Sequence, residues 1–253
     1  MNKWMIVIKA MAVAAVVAGI KVGIHALNLE FIRIDSLISA LISGVIFTIA
    51  ILLAGVMTDF KESEKIPGEL AASIKALHKD FELLGFTAKQ ETDSALLHIS
   101  SLISIIIKQF ESNKWKQSEI SEIIEKIDND MKVIAAKNIA PAYVVKMRNE
   151  LNNIEKISNR IDTIEETSFL PSAYALSQVA VIFVMLILLF SIVDPYVMGM
   201  AIIFTVTFLI TGILVLIKDM DNPFEPGGIG SADVDLTHIY KLDKYLKSNE
   251  EVK

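Results

Sequence analysis

The 253-residue sequence contains no cysteine. Disulfides, thiolate metal sites and a cysteine nucleophile are excluded, and the composition fits a reducing compartment. Histidine is scarce as well: His25, His78, His98 and His238 are scattered, with no second ligand at helical metal spacing. Each reads as an ordinary surface or interface residue. The triplet Gly227, Gly228 and Gly230 lacks the preceding strand and the following Lys-Ser/Thr that a phosphate-binding loop requires. Without a nucleophile and base, a metal site or a phosphate cradle, the chain reads as a non-enzyme that requires no cofactor. It contains no internal repeat and no low-complexity tract, and nucleic acid is not an expected partner.

Charge is missing from three long runs. A helix rises about 1.5 Å per residue, so a hydrocarbon core about 30 Å thick takes roughly 20 mostly apolar residues to cross. Val197–Ile217 carries no charge and no proline, and Thr205, Thr207 and Thr211 are its only polar breaks. Ala173–Val193 and Leu37–Met57 are equally uncharged, although Tyr174, Ser177 and Gln178 make the first turns of the former polar. A fourth stretch, about Trp4–Ile24, is interrupted by Lys9 and Lys21, which are expected to snorkel toward the interfaces. Its apolar core exceeds the ~7–15 residues of a signal peptide and no A-x-A site follows, so a span is favoured over a leader. With 53% hydrophobic residues and a mean hydropathy of +0.51, buried helices of a soluble protein are the weaker reading.

The expected fold class is all-α, a four-transmembrane-helix membrane protein with a helical bundle inserted between spans two and three. The divisions are a transmembrane hairpin over 1–57, a helical domain over 58–171, a second hairpin over 172–217 and a tail over 218–253. Short cytoplasmic loops retain Lys and Arg. Of 24 basic residues only Lys21 and Arg33 fall in the first hairpin connection, and Asp194-Pro195-Tyr196 has none. The N and C termini and the inserted domain are therefore expected to be cytoplasmic, with the protein multi-pass in the cell membrane.

From Thr58 to Pro171 the chain carries 15 basic and 19 acidic residues, and its periodicity is that of amphipathic helices. Pro67-Gly68 divides a helix ending near Lys65 from one starting around Glu69. Lys89-Gln90-Glu91 and Asn113-Lys114 are further breaks. Ser118 is a candidate N-cap, after which Ile120, Ile123, Ile124, Ile127, Met131 and Ile134 trace one face. Pro141 opens a helix in which Met147, Leu151, Ile154, Ile157, Ile161 and Ile164 recur at nearly 3.5 residues, which suits a bundle or a coiled coil. Leu102, Ile103, Ile105, Ile106 and Ile107 make a nearly all-round apolar segment, easier to bury in an assembly than in a small lone domain. A short helix is expected around Leu236–Leu246.

In the second span Ser36, Ser39 and Ser43 form a stripe that continues through Phe47, Ala50, Ala54 and Met57 to Thr58. Small and hydroxyl residues on one face serve either close helix packing or a water-filled pore narrowed by a bulky ring such as Ile46 or Phe47. After the fourth span, Asp219, Asp221 and Glu225 offer oxygen ligands of the kind calcium takes. Pro223 stands where an EF-hand would need its third ligand, and turn capping by Asp and Asn is the competing reading.

Asp59-Phe60-Lys61-Glu62-Ser63-Glu64-Lys65-Ile66-Pro67-Gly68-Glu69-Leu70 and Asp221-Asn222-Pro223-Phe224 resemble segments of the bestrophin-like family of prokaryotic membrane proteins, distant relatives of bestrophin channels. The two-plus-two layout around a helical insert resembles that family over nearly the whole chain. The resemblance implies a homo-oligomeric ion channel conducting permeant inorganic ions passively, its second span lining a central pore. It also implies a Ca²⁺ clasp after the fourth span, here reduced to Asp219, Asp221 and Glu225. Combined with the resemblance, the stripe reads as pore lining: Ser36, Ser39 and Ser43 near the outer mouth, Ile46, Phe47 and Ala50 at a constriction. The alternative is a membrane-anchored helical signalling or scaffold protein, with Met147–Ile164 transmitting motion to a partner. A secondary transporter ranks lower, because inverted repeats and broken helices are not visible.

Overall fold

The computed structural model describes residues 4–88, 91–137, 139–166, 171–224 and 232–250. In chain order the elements are α1 (Met5–Ala26), β1 (Ile32–Arg33), α2 (Ser36–Ser63), α3 (Ile66–Ala88), α4 (Asp93–Ser112), α5 (Gln117–Ala135), α6 (Pro141–Glu166), α7 (Pro171–Phe190), β2 (Ser191–Ile192), α8 (Tyr196–Met220) and α9 (Thr237–Glu250). They form two compact units: residues 1–60, 168–223 and 228–233, and residues 61–167, 224–227 and 234–253.

Four helical stretches among the described residues are long and apolar enough to cross a membrane: Met5–Ala26, one beginning at Ser36, one ending at Phe190, and Tyr196–Met220. In this first unit α1 lies mainly against α8. Ala10 and Ala14, one turn apart on α1, are fully buried, and a methyl added at Gly212 of α8 would lie 3.6 Å from the Ala10 Cβ. Small residues let the two backbones approach closely, the usual basis of helix association in lipid. A second cluster joins Ile49, Leu52 and Val56 of α2 to Val181, Val184 and Leu188 of α7 and to Ile203, Ile210 and Leu214 of α8.

Helix α1 ends in a turn built on Asn28, whose φ of 54° only Gly and Asn adopt readily. The Leu29 N–H reaches the Ile24 carbonyl and the Asn28 N–H that of His25, which satisfies two carbonyls at the helix end. The third expected span stops short: α7 ends at Phe190 rather than Val193. Residues 191 and 192 form β2, which pairs in parallel with β1, Ile32 opposite Ser191 and Arg33 opposite Ile192. The Phe190 carbonyl accepts the Phe31 N–H, so strand pairing takes over the backbone groups that another helical turn would have used.

The second unit is a helical bundle in which α3 packs on α6, α4 on α5, α5 on α6, and α9 on α3 and α4. The expected apolar face of α5 is buried at all six positions from Ile120 to Ile134. On α6 Met147, Leu151, Ile154, Ile157 and Ile161 are buried, and Ile164 is half-buried. This seam therefore closes the bundle's own core and leaves no open stripe for a coiled-coil partner. Leu102, Ile103 and Ile106 of α4 are likewise enclosed within one chain, while Ile105 and Ile107 are half-buried.

Asn113, with φ 50°, ends α4 through the same two-bond turn as Asn28. Ser118 is not the N-cap of α5. That position belongs to Lys116, whose side chain makes no capping bond, and the helix begins at Gln117. The Gln109 side chain clamps the turn instead, its Oε1 accepting the Lys116 N–H at 3.1 Å and its Nε2 donating to the Lys116 carbonyl at 3.3 Å. The break at Lys89-Gln90-Glu91 lies partly outside the described residues.

Candidate functional site

Helix α2 begins where Asp35 accepts the Ile38 N–H at 2.9 Å, a side-chain cap for one of the orphan donors of the first turn. Its apolar window is the least covered of the four, 11% buried against 33% for α8. The buried residues lie on one side, Ile49, Leu52, Val56 and Ser63. Ser36, Ser39, Ser43, Ile46, Phe47 and Ala50 are all exposed, Phe47 by 67%. Packing within the chain thus does not account for the stripe, and a Cβ built at Gly44 would meet nothing within 4 Å. The hydroxyls bond along their own helix, Ser43 to the Ser39 carbonyl at 2.8 Å and Thr48 to the Gly44 carbonyl at 2.9 Å. Each oxygen keeps lone pairs that can face water or an ion.

Just before α2 stands a polar lock that sequence reasoning missed. Lys21 does not snorkel: its side chain is wholly enclosed, and its ammonium lies 2.6 Å from Glu30. The same ammonium donates to the carbonyls of Leu189, at 3.1 Å, and Ser191. Carbonyls at a helix C-terminus lack intrahelical partners and carry partial negative charge, so a cation there satisfies both at once. Glu30 also meets the His25 imidazole at 3.0 Å, and that ring stacks on Tyr196 with centroids 4.0 Å apart. The Lys21 hydrogen bond holds the Glu30 carboxyl below the usual carboxylate range, against the opposing effect of burial. One ionic cluster thereby ties the end of α1, the segment leading into β1 and α2, the end of α7 and the start of α8. The available signal was a lysine on an apolar helix with a glutamate shortly beyond that helix.

Of the acidic set, Asp219 accepts the Ala232 N–H at 2.8 Å, the role of a turn-capping carboxylate. Asp221 is half-buried beyond the end of α8, and Glu225 lies outside the described residues. Among the described residues no three His, Asp or Glu side chains converge on one point.

No protein-family model matches the sequence, and no curated protein does. Solved structures do match. Two are crystal structures of point variants of a bacterial bestrophin homologue from Klebsiella pneumoniae. One is 11% identical with a TM-score of 0.78, covering 96% of this chain and 98% of that one. The other is 11% identical with a TM-score of 0.74, covering 98% of each. A third, described only as a membrane protein, is 12% identical with a TM-score of 0.76 over 96% of this chain and 97% of its own. The class defined by these helices is an all-α integral membrane protein. More narrowly, the chain has a bestrophin-like fold over nearly its full length.

Proposed function

We propose that the chain is a homo-oligomeric ion channel that conducts passively through a central pore lined by α2. In this reading it crosses the cell membrane four times, with both termini and the second unit cytoplasmic. Ser36, Ser39 and Ser43 stand near the outer mouth, and Ile46, Phe47 and Ala50 form an apolar constriction. The observation that carries the reading is the exposed stripe of α2, whose opposite side alone is packed within the chain. An exposed face combining hydroxyls with small residues suits a surface shared by several copies around water better than one facing lipid tails. The bestrophin-like fold supports the same reading. The stripe bears no fixed charge, so an apolar ring such as Phe47 would gate by wetting rather than by charge.

Reconstituted liposomes test this. Purified oligomers are expected to dissipate a salt gradient passively, and Phe47→Ala to raise conductance. Well-incorporated oligomers that pass no ion in either gradient direction would overturn the proposal. The scaffold alternative loses its main support, because the α6 seam from Met147 to Ile161 is buried in the bundle core.

A further inference from the structure

The second unit carries a groove that ion conduction does not use, between α3 and α9, with a volume of about 290 Å³. Its α3 side is made of small residues, Gly68 and Ala71 among them, and its charged lining is exclusively cationic. Lys75 reaches in from α3, and Lys241 with the imidazole of His238 from α9. This is unusual in a chain of net charge −6. The Lys75 ammonium lies 4.7 Å from the centre of the Tyr245 ring, a cation–π contact that holds it at the groove. Tyr245 is braced from behind by the buried His78, edge to face at 6.4 Å. Among the described residues neither Lys75 nor Lys241 forms an ion pair. Asp235, whose charge reaches Lys241 and His238, does not line the groove, and its Oδ1 is engaged by the N–H and hydroxyl of Thr237.

We infer that this groove binds a phosphate-type dianion, supplied either as a soluble phosphate or as the headgroup of an anionic lipid. Two ammonium groups on facing helices, neither in an ion pair among the described residues, suit a ligand with two negative charges and several acceptor oxygens, and a further N–H from His238 adds a directional bond. The small α3 residues let the ligand approach the helix surface while the long lysines close over it.

The test uses the full chain in detergent and chloride buffer. Inorganic phosphate is titrated by calorimetry, and in a second arm the protein is incubated with mixed micelles containing phosphatidic acid and examined by native mass spectrometry. Saturable binding in the first arm identifies a soluble source, and retention in the second alone a lipid source. Either is expected to weaken by on the order of tenfold to thirtyfold in the double variant Lys75→Gln, Lys241→Gln, since both lysines are exposed and solvent-screened. Gly68→Phe separates shape from charge. A Cβ there meets nothing within 4 Å, so the ring is expected to fill the groove and abolish binding without lowering the melting temperature. Absence of binding in both arms overturns the inference, as does binding that survives both the double variant and Gly68→Phe.

Discussion

Glu30 closes on Lys21 at 2.6 Å, and the lysine is entirely enclosed although the helix that carries it is apolar. Removing one partner of a buried pair leaves the other charge uncompensated, which costs far more than the pair's own net contribution. Glu30→Gln is expected to destabilise the detergent-solubilised protein by on the order of 3 kcal/mol. The double variant Lys21→Met, Glu30→Gln should lose less than the sum of the two single changes. A thermal-melt double-mutant cycle measures this coupling. Because the Glu30 carboxyl sits below its ordinary value of 4.5, its contribution is complete above that value and is lost as pH falls through the lower folded one. The Glu30→Gln penalty is therefore expected to be present at about pH 7 and to shrink in acid as pH falls below the ordinary value of 4.5.

Gly199, in the first turn of α8, lies against Val193 so closely that an added Cβ would overlap the valine side chain. Gly199→Ala is expected to cost about 1–3 kcal/mol despite alanine's better helix propensity. Adding Val193→Gly should recover most of the loss. Melting temperatures of the two single variants and the double variant decide this, and a neutral Gly199→Ala would contradict the packing.

Glu165, near the end of α6, has its carboxyl pushed up by burial, an effect reinforced by the nearby charge of Asp162 and opposed by the Trp115 N–H. Here the sign is opposite to that of Glu30. The folded chain disfavours the charged form, so the penalty is absent below the ordinary value of 4.5 and grows as pH rises through the raised one. Glu165→Gln keeps an acceptor for the Trp115 N–H and removes the charge. It should raise the melting temperature at about pH 8 and leave it unchanged at about pH 4.

Local chemistry was legible wherever it decided the structure. The six-residue face of α5 and the stop at Asn113 are written in apolar spacing and in a residue that tolerates positive φ. Interactions spanning long sequence separations were not. Lys21 finds its carbonyl partners 168 and 170 residues away, and the glutamate shortly beyond its helix is the one local sign that it is locked rather than snorkelling. The shortening of α7 follows from pairing with β1, also remote in sequence. Ser118 is a good capping residue, but the Gln109 clamp fixes the turn two residues earlier, at Lys116. For α2 the periodicity of Ser36, Ser39 and Ser43 was visible from the start. What the fold adds is which side of the helix the chain itself covers.

The absence of cysteine makes the pore proposal directly measurable, since every introduced thiol is the only one in the protein. Ser39→Cys, Ser43→Cys and Leu52→Cys would be reconstituted in planar bilayers and treated with a charged, membrane-impermeant thiol reagent. Ser39 and Ser43 lie on the exposed stripe, Leu52 on the packed side. Conductance is expected to fall irreversibly in the two serine variants and to be unaffected in Leu52→Cys and the unmodified protein. Unaltered conductance in both serine variants, or block confined to Leu52→Cys, would contradict a pore lined by this face of α2.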